Sequence, residues 1–130
     1  TETDEIVYRY DPGGIPRIDQ RMTSKEWQDT RGRENREITG YRSDLSGRLN
    51  LDSRTRITSE SMPGGSRQTL QVTERQSPAE PSGGLRLIEC VTEFTRPAGA
   101  LEVEREVQVR RPDANGALRT VYLQRTSEIR

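Results

Sequence analysis

The sequence predicts an all-β protein: an eight-stranded antiparallel meander of four degenerate hairpin repeats of about 33 residues. Its single-layer sheet is expected to curl or close into a shallow sandwich or barrel. Three observations carry this. Only 28% of the 130 residues are apolar while 32% are charged, too few apolar groups for a deep core. Fully burying a large apolar side chain contributes roughly 1.5–3 kcal/mol, against a backbone ordering cost of about 1–2 kcal/mol per residue, which favours a thin structure. A four-residue corner, acid-x-x-Gly, recurs at near-constant spacing. Apolar periodicity, where present, has the strand period of two.

The corners are Asp11-Pro-Gly-Gly14, Asp44-Leu-Ser-Gly47, Glu80-Pro-Ser-Gly83 and Asp113-Ala-Asn-Gly116, their acids 33, 36 and 33 residues apart. Asp at the first position and Gly at the fourth suit a type I turn whose glycine takes a left-handed conformation, closing a hairpin with a G1 bulge. The following strand openings also agree: Pro16, Leu49, Leu85 and Leu118, then Arg17, Asn50, Arg86 and Arg119. A second series of breakers, "TRGREN" at 30–35, "MPGGS" at 62–66 and "RPAGA" at 96–100, lies out of phase with the first. The chain therefore reverses about every 16 residues, with turns alternating between two ends.

Strands are expected near 4–10, 15–27, 36–43, 48–61, 67–76, 85–96, 101–111 and 117–129, one domain over 1–130 with hairpins at 4–27, 36–61, 67–96 and 101–129. The segment around Trp27 also has the composition of a helical turn. In the seventh strand Leu101, Val103, Val107 and Val109 alternate with Glu102, Glu104, Glu106 and Gln108, with Arg105 breaking the apolar row, one face in and the other wet. A turn with 113 opposite 117 would set Val109 against Val121, Val107 against Leu123 and Glu106 against Gln124. In strands 85–96 and 117–129 the apolar parity flips after the third residue, the mark of a β-bulge. Apolar residues are denser in the last 46 positions than in the first 84, and the second half is expected to hold the better-packed part.

"YRYDPGG" at 8–14 and "YRSDLSGRL" at 41–49 resemble the YD repeats of RHS-type proteins, with their Tyr-x-Tyr-Asp-x-x-Gly-Arg-Leu pattern. That resemblance implies a winding strip of hairpins at a bacterial surface, and hence a scaffolding role. The spacing here is longer than in those repeats, and the third and fourth copies lack the tyrosine pair.

Neutral net charge argues against a nucleic-acid or anionic-membrane binder, and no apolar run is long enough for a membrane helix. All 21 basic residues but Lys25 are arginine. Without histidine, the commonest general base and metal ligand is missing, so Ser24, Ser43, Ser46, Ser53 and Ser59 have no triad partner. Cys90 aligns with Leu123 and is expected in the packed interior. The corner acids Asp11, Asp44, Glu80 and Asp113 are expected to cap their own turns. No catalytic, metal or cofactor residues are expected, and the ligand-binding residues are unknown. Arg17, Arg86 and Arg119 are expected to join Glu102, Glu104 and Glu106 in a cross-strand ion-pair lattice. Tyr8, Tyr10, Tyr41 and Tyr122 are the candidate aromatic strip for a glycan or peptide.

A start at Thr1 rather than methionine gives the expectation that an upstream segment, a signal peptide among the options, has been removed. The reading is a non-enzymatic, extracytoplasmic (secreted, periplasmic or cell-surface) structural or interaction module of bacterial type. It would dimerise through an apolar sheet face or edge and take a protein or glycan partner. The alternative is a closed up-and-down barrel carrying a small apolar ligand.

Overall fold

The computed structural model describes residues 1–77 and 84–129. Eight strands form one sheet in chain order: β1 Glu2–Tyr10, β2 Pro16–Gln28, β3 Glu34–Ser43, β4 Leu49–Ser61, β5 Arg67–Gln76, β6 Leu85–Pro97, β7 Glu102–Pro112 and β8 Leu118–Ile129. Every pairing is antiparallel. The stretch around Trp27 is strand rather than helix, and the one helical element described is a 3-10 turn at Pro63–Gly65. The sheet is open, with β1 and β8 as its edges. This corrects the closed alternative: a barrel needs β1 bonded to β8, and a ligand-carrying barrel loses its basis with the closure.

Each even strand carries one extra residue at the same place. Val7 pairs with Gln20 and Tyr8 with Ile18, which leaves Asp19 unpaired; Asp52, Ile88 and Val121 are passed over likewise. These bulges are 33, 36 and 33 residues apart. The Val121 bulge corrects the β7–β8 register: Val109 faces Tyr122, Val107 faces Gln124 and Glu106 faces Arg125. The parity flip marked this bulge in the sequence, but the pairing counted inward from the turn did not step over it.

The expectation of one dry apolar face fails. Among the described residues only Cys90 and Thr39 are buried, at 5% and 8% exposure, and no large side chain is fully enclosed. Both lie opposite an arginine, Cys90 facing Arg110 and Thr39 facing Arg54, and each of these arginines buries its Nε without a hydrogen-bond partner. Arginine stems crossing the strand thus supply the cover that a second layer would otherwise give. The better packing expected of the second half is not found: each half holds one buried residue among those described, Thr39 and Cys90, and β6 and β7 are as exposed as β3 and β4. Leu123, which aligns with Cys90, is 48% exposed because β8 is an edge.

The corners are built as expected. The N–H of Gly14, Gly47 and Gly116 donates to the carbonyl of the corner Asp at 2.9, 3.0 and 3.0 Å, and each glycine has a φ near 80°. The Glu80–Gly83 corner lies outside the described residues. No atom lies within 4 Å of where a Cβ on Gly47 would sit, so the left-handed backbone alone resists a side chain. Gly47→Ala should lower unfolding free energy by about 1–2 kcal/mol. Gly99→Ala, equally uncrowded but without the left-handed φ, should stay within about 0.5 kcal/mol of the parent. Urea titration of both variants checks the contrast.

Candidate interaction surface

The corner carboxylates work locally. Asp44 accepts from the backbone N–H of Ser46 and Arg48 at 2.9 and 3.0 Å, from the Ser46 hydroxyl at 2.5 Å and from Asn50 at 2.9 Å. Asp113 accepts from the N–H of Asn115 and Ala117 and from Arg119 Nε at 3.0 Å. Asp11 accepts from Ile15 N–H at 2.9 Å and Arg17 Nε at 3.5 Å. A further corner of the same design, at the opposite end, went unread in the sequence. Asp29 accepts from Arg31 and Arg33 N–H, Arg33 Nε and Asn35, and Gly32 N–H closes the turn on its carbonyl at 3.0 Å. The breaker "TRGREN" starts one residue after this acid, which hid the acid-x-x-Gly pattern.

These bonds hold the carboxyls below the usual aspartate range. The Ser46 hydroxyl and Asn50 amide dominate at Asp44, the Arg119 guanidinium at Asp113 and the Ile15 N–H at Asp11. At Asp29 partial desolvation pushes the other way, but the combined bonds from Arg33, Asn35 and Arg31 outweigh it.

Between each bulge and its acid corner the ladder repeats a three-rung pattern. The middle rungs are Arg9–Arg17, Arg42–Asn50, Arg75–Arg86 and Arg111–Arg119, and the flanking rungs bring in Ile18, Leu49, Leu51, Leu85, Leu87 and Leu118. Residues opposite one another share a face and alternate along the strand. The arginines therefore line one face of this end, and the aliphatic side chains line the other. Opposed like charges are unfavourable, and acids offset them: Asp19 on Arg9 at 3.3 Å, Asp11 on Arg17, Glu89 on Arg111 at 3.0 Å and Asp113 on Arg119.

The expected lattice therefore exists with different partners. Arg17 and Arg119 turn back to their own corners, while Glu104 pairs with Arg96, Glu106 with Arg125 at 3.1 Å, and Glu102 accepts from the Ser127 hydroxyl. The tyrosines do not form one strip. Tyr8, Tyr10 and Tyr41 sit on β1 and β3, and Tyr122 sits on β8 at the far edge.

Neither a family model, a curated protein nor a solved structure matches the chain. What the molecule offers a partner must be read from its own surface. Among the described residues no three acidic, cysteine or histidine side chains converge as a metal site. No helix among them is long and apolar enough to cross a membrane. The depressions are open ones on the sheet. One of them, of about 510 Å³, lies over Phe94, Arg96, Glu104, Glu106 and Arg125 near the β8 edge.

Ser24, Ser43, Ser46, Ser53 and Ser59 are spread over β2, β3 and β4 and the Asp44 corner, with Ser59 against the Thr69 hydroxyl at 3.1 Å. Exposed apolar groups gather instead on the outermost strands: Ile6, Val7, Tyr8 and Tyr10 on β1, Val121, Tyr122, Leu123 and Ile129 on β8.

Two outcomes follow from this geometry. Carboxyls held low in the folded state stabilise it fully above their unfolded value of 3.8, and that stabilisation disappears as pH falls through the lowered folded values. The urea midpoint should stay level from about pH 7 to about pH 5 and drop below about pH 4, less steeply in Asp44→Ala than in the parent. Cys90 should react with a water-soluble thiol reagent only slowly in the folded chain, and several-fold faster once Arg110→Ala removes the side chain opposite it.

Proposed function

We propose that this chain is a non-enzymatic structural or interaction module of extracytoplasmic, bacterial type: a strip of four degenerate hairpin repeats whose faces and edges are its working surface. The observation that carries the reading is the open one-layer sheet, with no large side chain enclosed among the described residues and exposed apolar groups along both edge strands. A reaction site ordinarily needs groups converging in a concave, water-poor place, and a ribbon of one layer offers surface instead.

The four-fold repeat is supported by the common turn-to-bulge distance of five residues after Gly14, Gly47 and Gly116, and by the recurring arginine rung beside it. The YD-like corners at 8–14 and 41–49 are in keeping with a hairpin scaffold, and the extracytoplasmic setting rests on that resemblance.

A sheet with exposed apolar residues along its edges and no second layer needs covering by another surface. Self-association through a face or an edge is therefore part of the reading. Light scattering over a rising concentration series should show the mass climbing above 14.8 kDa. A chain that stays monomeric near millimolar concentration, or that turns over a substrate through one of its acids, overturns the reading.

A further inference from the structure

We propose that the partner of this strip is a second copy of the same chain, docked head to tail, so that β8 of one copy pairs with β1 of the next and the sheet grows without closing. The inference rests on the strip reading above and adds to it a partner, a direction and a register.

Strand parity supplies the direction. Eight strands that alternate in sense leave β1 and β8 antiparallel to each other. A neighbouring copy shifted along the sheet, in the same orientation, thus presents its β1 antiparallel to the free side of β8. Such a contact is heterologous and non-closing.

The internal junctions supply the register. Wherever an even strand meets the next odd one, the third residue after the bulge pairs with the residue that forms the first rung beyond the following bulge. Met22 faces Gly40, Thr55 faces Thr73 and Val91 faces Val109. Gly40, Thr73 and Val109 in turn face Ser53, Glu89 and Tyr122, each the residue just after a bulge. The rule holds at all three such junctions. On β8 the third residue after Val121 is Gln124, and on β1 the residue facing the rung just after the Asp19 bulge is Val7. The same rule therefore sets Gln124 against Val7 of the next copy.

The remaining rungs follow, and their chemistry is compatible. Leu123 meets Tyr8, Tyr122 meets Arg9, Arg125 meets Ile6 and Ser127 meets Asp4. Apolar and aromatic side chains that are about half exposed on each edge would cover one another, Leu123 at 48% and Tyr8 at 54%, and no rung opposes like charges. Pairing β1 with itself fares worse, because Glu2, Asp4 and Glu5 crowd that strand. Pairing β8 with itself leaves both β1 edges bare.

Cysteine placement tests the register. Val7 and Gln124 are both exposed, so Val7→Cys and Gln124→Cys should fold, and Cys90 is buried. Opposed residues in antiparallel strands lie about 4.5–5.5 Å apart between Cα atoms, within reach of a disulfide. Mild oxidation of the two variants mixed together should give the mixed disulfide. Val7→Cys mixed with Leu123→Cys should give little, because a one-residue slip points the two thiols to opposite faces. A chain carrying both Val7→Cys and Gln124→Cys should run as a ladder of multiples of 14.8 kDa without reductant. Cross-linking of Gln124→Cys or Val7→Cys with itself in preference to the mixture overturns the proposal. So does association that stops at two copies, which would leave the interaction-module reading standing; a strictly monomeric chain overturns both.

Discussion

Register is the constraint on which this molecule depends. A thick protein selects its strand pairing by burying the correct side chains, but a ribbon with both faces wet has no interior to make that choice. Here the choice is made at the corners. A carboxylate at the first corner position gathers two backbone N–H groups and a side-chain donor, and a glycine three residues on turns the chain. The bulge beyond it shifts the pairing by one residue in every even strand. With corner and bulge both fixed, the intervening rungs have one way to pair.

Charge and ordering are consequently inseparable. Arginine serves as cover over Cys90 and Thr39, as a clamp on the corner carboxylates, and as one half of the cross-strand pairs on both faces. Each exposed pair contributes little alone, typically a few tenths to about 1 kcal/mol. Their joint effect lies in the register they favour: a slip by one residue would carry the cross-strand arginines away from their acids. Opposed arginines such as Arg111 and Arg119 are tolerable only while Glu89 and Asp113 stay in place.

The strand plan was legible in the sequence because turn chemistry is local. Strand ends read from the corners agree with the structure to within two residues, and Gly14, Gly47 and Gly116 take the left-handed conformation that their acid-x-x-Gly corners call for. The Ile88 and Val121 bulges were legible from the parity flip, whereas those at Asp19 and Asp52 had no flip to betray them, since the residues that follow them are polar. The side-chain plan was less legible. Alternation in β7 implied a dry face, but Arg105 and Glu93 hold that same face wet with an ion pair at 2.8 Å. The acid partners of Arg17 and Arg119 were missed because the corner acids were read as caps of their own turns, while their second oxygen also takes the arginine six residues on. The exposed edges, where the candidate interaction surface lies, follow from openness, which local patterns do not encode.

The meander order has a mechanical meaning as well. Contacts are almost confined to strands adjacent in the chain, so every strand is held by at most two neighbours and an edge strand by one. Cohesion in such an array is a sum of nearest-neighbour couplings, as in a zipper. Fraying begins at the rims and works inward, and β4 and β5 are the last to loosen. Because each coupling joins segments close in sequence, the loops to be closed are short and assembly proceeds by successive local steps.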